Sequence, residues 1–418
     1  MSISVKDLLQ KLLAIPTVNP VFGAADPAWL GEARLTDFLQ NWATNHGWKW
    51  LRQQVHAGRE NLIVLIPPRQ SDPLQSGPAQ RGGPVTLWEV HQDTVGVEGM
   101  QIDPFAGIER EGRIYGRGAC DVKGSMAAMM TAAQSLHESN ELPGPLLLAF
   151  AVNEECGFSG AKALSRLWMN DTTPSLLPLE GEERIHGPLS LAELRELRPD
   201  RAIVAEPTDF QVVATHKGII RWRCHTRGRA AHSSRPQLGK NAIYAMTEVI
   251  TAIRDFDHEI LSQRGSDCLC GRPTVSVNTI QGGIGANVVP DHAVIDIDYR
   301  IMPGELPSHA QQELTEFIAA RISVDTVIEH EPPWNQSRGM QAGDNRAWAE
   351  QVANVVGDSS EIVGVPYGTD AWVFAALGIP TVVLGPGSIA QAHTEDEWIS
   401  VTELERGVEV YRKLARLC

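Results

Sequence analysis

Residues 85–93 read VTLWEVHQD. Val85 to Val90 is a short, almost wholly apolar run, the composition of a strand buried on both faces. It ends abruptly in His91-Gln92-Asp93. Residues two apart on an extended backbone share a face, so His91 and Asp93 point the same way. The pattern repeats along the chain. Leu146–Val152 runs into Asn153-Glu154-Glu155, Ala202–Ala205 into Glu206-Pro207-Thr208, and Thr381–Leu384 into the loop Gly385–His393. Helical stretches, Val122–Leu136 and Ser159–Trp168, separate the first three. Strand and helix in alternation predict an α/β fold, a mainly parallel sheet covered by helices on both faces. Such sheets bind ligands beyond the carboxyl ends of their strands. Two histidines and several carboxylates are therefore expected along one sheet edge.

The same style returns near the C-terminus, with helices at Arg346–Val356, Ala371–Leu377 and Glu403–Leu417. The middle differs. In Ile220–Arg227, apolar residues alternate with Arg221, Arg223, His225 and Arg227, which predicts a strand with one wet face. Asn241–Phe256 follows as an amphipathic helix, then strands Thr274–Ile280 and Ala293–Ile301, a helix Ser308–Ile322 and a strand Val324–His330. This order predicts a small antiparallel sheet with two helices on one face. The boundaries read as 1–212 and 334–418 for a larger domain and 213–333 for a second one inserted into it. Two polar, Pro-containing stretches, 67–84 and 170–200, read as insertions, the latter with a short helix near Leu191–Leu197.

With 418 residues, two domains are the default. Hydrophobic residues make up 43% and charged residues 21%, which excludes wholesale disorder. The net charge of −15 argues against nucleic acid or an anionic membrane as partner. No apolar run spans a bilayer, and the amphipathic start lacks the order of a signal peptide. The 6 cysteines are scattered without a C-x-x-C, so reduced, buried thiols and a cytoplasmic location are expected.

Asp121 completes the set. It lies in YGRGACDVKG (115–124), just before a helix, where a carboxylate gains from the N-terminal peptide dipoles. Histidine and carboxylate donors without cysteine suit Zn²⁺, Mn²⁺ or Co²⁺ in a catalytic site rather than a closed structural one. Asp93 can accept the second N–H of a ligating His91. Of Glu154 and Glu155, one can bind metal while the other handles protons. Two ions sharing a carboxylate activate water and polarise a carbonyl. Singly these pieces are ordinary: H-x-D is common on surfaces, a Glu pair starts many helices, and Glu-Pro makes turns. Their shared place at the ends of buried strands sets them apart. Gly116-x-Gly118-x-x-Asp121 imitates a dinucleotide fingerprint, but Asp stands where the third glycine belongs and no clear acidic ribose ligand follows. There is no Walker A, H-E-x-x-H or G-x-S-x-G sequence.

The stretches HQDTV, GRGACDVKG, NEE, AEPT, HKG, GRAAHSS and LGPGSIAQAH, in that order, span nearly the whole chain. They resemble the acetylornithine deacetylase and succinyl-diaminopimelate desuccinylase family, dinuclear zinc enzymes akin to aminoacylases and glutamate carboxypeptidases. HKG and LGPGSIAQAH are most similar to the acetylornithine deacetylase branch. The resemblance implies a zinc-exopeptidase-like catalytic domain and a ferredoxin-like lid and dimerisation domain. It implies two divalent metal ions, with Asp121 bridging, His91 and Glu206 on one and Glu155 and His393 on the other. Asp93 orients His91, and Glu154 is the general base. His232, in the inserted domain, reaches the partner subunit's site and stabilises an oxyanion. Asn287, Arg300, Gly368 and Thr369 hold the substrate carboxylate, with Gly387 and Ser388 offering backbone N–H groups; Lys217 is a weaker candidate. A cis Asp121–Val122 peptide is also implied. The expected activity is hydrolysis of the amide of a small N-acyl amino acid by a homodimer, within arginine biosynthesis for that branch. A desuccinylase, dipeptidase or carboxypeptidase on the same site is the alternative, and a non-catalytic binding protein a remote one.

Overall fold

A computed structural model describes residues 3–68, 83–169, 184–343, 345–357 and 360–417. Most of the insertion read at 67–84, and the first part of that at 170–200, lies outside these residues. The helix expected near Leu191–Leu197 is present as Leu191–Glu196, started by a capping box between Ser190 and Glu193.

The chain forms two compact units. The first comprises Met1–Ala214, Ala342–Val363 and Thr369–Cys418. Among the described residues its sheet has nine strands, in the order Ile362–Val365, Val212–His216, Thr381–Val383, Arg201–Val204, Thr86–His91, Leu146–Ala151, Arg59–Ile66, Lys49–His56 and Ile185–His186. Thr381–Val383, Arg201–Val204, Thr86–His91 and Leu146–Ala151 pair in parallel and form the middle of the sheet. Every residue of these four strands is buried, as parallel strands covered on both faces require. The antiparallel pairs lie on the flanks: Arg59–Ile66 on Leu146–Ala151, Lys49–His56 on Arg59–Ile66, and Val213 opposite Val383. Helices Val5–Leu13, Lys123–Glu138 and Val401–Ala415 contribute Leu8, Leu12, Met126, Met130, Leu404 and Tyr411 to one core with strand residues such as Trp88 and Leu148. Gly124 lets the second of these helices start close to the preceding loop, because a Cβ there would lie 2.5 Å from the Ala119 carbonyl oxygen.

The second unit comprises Thr215–Gln341 with Gly364–Gly368. Its sheet runs Thr274–Gly282, His292–Ile301, Gly218–Arg227, Val327–His330, all antiparallel. With helices Ala242–Glu259 and Pro307–Arg321 this is the ferredoxin-like order. Ile220, Trp222, Cys224, Ile295, Ile297 and Tyr299 face the helices and are buried with Met246, Phe256 and Leu314. The opposite face carries ion pairs Arg221–Asp298, Arg223–Asp296 and Arg227–Glu329. The unit extends past the boundary expected at 333. Asn335–Ser337 adds a strand to Ile219–Arg221, and His216 and Met340 exchange backbone bonds. Sequence reading had no signal for this short polar strand.

Among the described residues no helix is long and apolar enough to cross a membrane. None of the described cysteines is in a disulfide.

Candidate metal centre

Five of the six donors lie beyond the ends of the parallel strands. His91 ends Thr86–His91, Glu154 and Glu155 follow Leu146–Ala151, and Glu206 follows Arg201–Val204. Asp121 sits in the turn before Lys123–Glu138, with a cis peptide to Val122. His393 adopts φ 63° in the loop after Thr381–Val383. Two donor groups result: His91, Asp121 and Glu206, and Asp121, Glu155 and His393, each with ligand atoms within 4.8 Å of one another. Asp121 belongs to both. Its Oδ1 lies 3.0 Å from His91 Nε2, and its Oδ2 lies 3.2 Å from His393 Nε2. Glu155 Oε2 is 3.2 Å from His393 Nε2.

The electrostatics ask for cations. Burial pushes Glu206 and Glu154 well above the usual carboxylate range; the charge of Asp121 adds to the first and that of Glu206 to the second. Glu155 is raised by burial and then by Asp121. Burial also opposes the Asp121 charge, but bonds from His393 and His91 prevail and hold its pKa below the ordinary value. Burial disfavours charge on both imidazoles, yet the bonds to Asp121 outweigh it and hold His91 well above its ordinary pKa and His393 near 11. Four buried carboxylates with two imidazoles leave the cluster short of positive charge, which a divalent cation at each donor group supplies. The residues fit such ions in number, type and spacing.

Asp93 meets His91 chiefly through its backbone. His91 Nδ1 donates to the Asp93 backbone carbonyl at 2.9 Å, while the carboxylate lies 3.7 Å away. That carboxylate accepts the backbone N–H groups of Glu154 (3.0 Å) and Glu155 (3.2 Å) and the Asn19 amide (2.7 Å). It fixes the turn that carries the two glutamates. Thr369 is fully buried, and its Oγ1 accepts the Ala371 N–H at the start of Ala371–Ala375. Gly387 holds φ 86° over Cys120, whose Sγ would lie 2.6 Å from a Cβ there; Ser388 follows it.

The remaining candidates lie in the second unit. His232 is exposed in a two-residue strand paired with Val288–Val289. Its Nδ1 accepts the Ser234 N–H, so Nε2 carries the proton outward. Asn287 is exposed beside it, its carbonyl accepting the Ser233 N–H at 2.9 Å. Arg300 does not hold its fork open: Nε and Nη2 both donate to Asp298, at 2.6 and 3.1 Å. Gly368 packs on Ile219 and Ser337, and Lys217 Nζ donates to the Arg272 carbonyl.

Sequence reading missed the residues behind the donors. Arg59 forks onto buried Glu32 and also reaches Asn153 Oδ1 at 3.0 Å. Glu89 and Asp370 are both buried carboxyls; burial raises Asp370 to about 7, and burial and then the charge of Asp370 raise Glu89 well above its ordinary value. A lone Glu inside the buried run VTLWEV was the available signal for the second pair; nothing marked the first.

An open α/β sheet with histidine and carboxylate donors gathered beyond its parallel strands defines a hydrolytic metalloenzyme. The family model described as "Peptidase family M20/M25/M40" matches residues 87–417, and the chain belongs to that family. The acetylornithine deacetylase of Proteus mirabilis is 28% identical over 420 residues, covering 98% of this chain and 95% of the relative. A probable carboxypeptidase of Emericella nidulans is also 28% identical, over 412 residues, covering 97% and 88%. The crystal structure of an M20 family metallo-carboxypeptidase from Sulfolobus solfataricus superposes with a TM-score of 0.71 at 17% identity, covering 100% and 99%.

Proposed function

We propose that the protein hydrolyses the amide bond of a small N-acyl amino acid, in the manner of an acetylornithine deacetylase. The observation that carries this reading is Asp121, common to two donor groups. His91 and Glu206 would hold one ion with it, and Glu155 and His393 the other. Two divalent cations, with Zn²⁺ suited to these donors and Co²⁺ or Mn²⁺ compatible, supply Lewis acidity toward the carbonyl and acidify water. Glu154, buried and held by its backbone on Asp93, takes the proton of the attacking water and passes it to the leaving amine. His232 carries an outward N–H suited to an oxyanion, a donor worth about 10²–10³ in rate. By the family resemblance it serves the partner subunit of a homodimer. By the family resemblance, Asn287, Arg300 and the Gly387-Ser388 loop are the residues proposed for the substrate carboxylate. On this reading the reaction belongs to arginine biosynthesis and the protein to the cytoplasm.

A carboxypeptidase or dipeptidase is the second reading, favoured by the probable carboxypeptidase that is as similar to this chain as the deacetylase is. Side-by-side hydrolysis of N-acetylornithine, N-succinyl-diaminopimelate and dipeptides by metal-replete protein separates the two. Glu154→Ala is expected to keep its metal and lose nearly all turnover. Substantial activity in that variant removes Glu154 as the base.

A further inference from the structure

Four residues beyond His393, Glu397 turns inward and is fully buried. Its Oε1 accepts the backbone N–H groups of Cys120 at 2.9 Å and Asp121 at 3.0 Å. Its Oε2 accepts the Gly118 N–H at 3.1 Å and Arg117 Nη1 at 2.5 Å. An ionised carboxylate offers about four lone-pair sites. All are taken by donors of one loop, so this anion has no capacity left to ligate a cation or to accept a proton from substrate. The loop folds around it as a nest of converging N–H groups. Gly118 makes the turn at φ 85°, where a Cβ would press on Thr94 Cγ2 at 3.0 Å.

Arg117 extends the reach of this pair. Its Nη2 donates to the Thr394 carbonyl at 3.2 Å, next to His393, and its Nε to the Gly96 carbonyl at 3.1 Å, three residues past Asp93. One buried ion pair thus joins three loops, each of which carries a residue of the centre. Asp121 has to present its two oxygens in two directions at once, Oδ1 toward His91 and Oδ2 toward His393. A side chain with that task needs a backbone that does not shift.

We propose that Glu397, with Arg117, is a positioning residue that sets Asp121 and His393 at the spacing both donor groups require. The inference rests on the metal-centre reading above. Partners that orient ligands in this way typically govern about 10–100-fold in metal affinity or activity. A brace that served folding alone would lower the melting temperature and leave the ions' surroundings as they were.

The test titrates Co²⁺ into chelator-treated wild type, Glu397→Gln and Arg117→Gln, read by calorimetry and by visible absorption. Wild type is expected to take up two equivalents. Glu397→Gln is expected to weaken both by about 10–100-fold and to shift the visible bands, because Asp121 belongs to both groups. Arg117→Gln, which leaves the three N–H bonds in place, is expected to weaken binding less. In both variants kcat falls while KM holds. A folded Glu397→Gln with wild-type affinities and bands overturns the proposal, even if it melts at a lower temperature. Where Glu397→Gln does not fold, Arg117→Gln decides, and unchanged affinities and bands there overturn the proposal equally. A wild type that binds no Co²⁺ overturns the metal-centre reading instead.

Discussion

The amide of Asn19 donates to Asp93 Oδ2 at 2.7 Å and lies 2.9 Å from Asn153 Oδ1. Through Asp93 it bears on the two glutamates, and through Asn153 on the residue that starts their turn in a left-handed conformation, φ 63°. Asn19→Ala is expected to lower kcat about 10–100-fold with little change in KM, measured on whichever substrate is turned over. An unaltered kcat would show that Asp93 and the backbone hold the turn unaided. At this scale the donors were legible and their supports were not. His91, Asp121, Glu154, Glu155, Glu206 and His393 stand next to buried strands or a helix start, and that placement is written in the local sequence. Asn19, Arg59, Glu32 and Glu397 reach the centre from segments with no periodic signal, and only the folded chain brings them in. Arg300 shows the converse limit: an Arg on a wet strand face is visible in sequence, but its engagement by Asp298 two residues away is not.

Elements were legible in proportion to their burial. The four parallel strands stood out as apolar runs because both of their faces are covered. The flanking strand Lys49–His56, KWLRQQVH, escaped notice, since a half-buried strand with Arg and Gln on it has no clean alternation. Helix starts were easier. Asn241 opens Ala242–Glu259 and accepts the N–H groups of both Ile243 and Tyr244. Asn241→Ala is expected to cost about 1 kcal/mol, seen as a lower urea midpoint with an unchanged slope. A changed slope would mean that the second unit unfolds separately in the variant. The short strand Asn335–Ser337, which moved the boundary of that unit, is three polar residues recognisable only by the partner they pair with.

For the molecule as a whole, His216 predicts an acid limb of stability. It is fully buried; Nδ1 donates to the Lys217 carbonyl, and Nε2 lies buried without a partner among the described residues. Burial lowers its pKa from 6.5 to about 4. Between these values the unfolded chain binds the proton and the folded chain does not, so stability falls as pH falls through this window and levels off below it. The contribution is about 3 kcal/mol. The stability difference between wild type and His216→Asn should therefore shrink from pH 6.5 to pH 4; a constant difference would show that His216 is not the group responsible. The sheet order has a further consequence, for biosynthesis. Thr381–Val383 lies inside the sheet, between Arg201–Val204 and Val212–His216, although it is made after both and after the whole second unit. While the chain is still on the ribosome, Arg201–Val204 has a bare parallel edge, and Glu155 waits for His393. Such long-range parallel pairing is slow and leaves an edge open to association. A chain arrested before Thr381 is therefore a sticky half-sheet without a finished centre, and the enzyme comes into being only as the last strand slots into the middle.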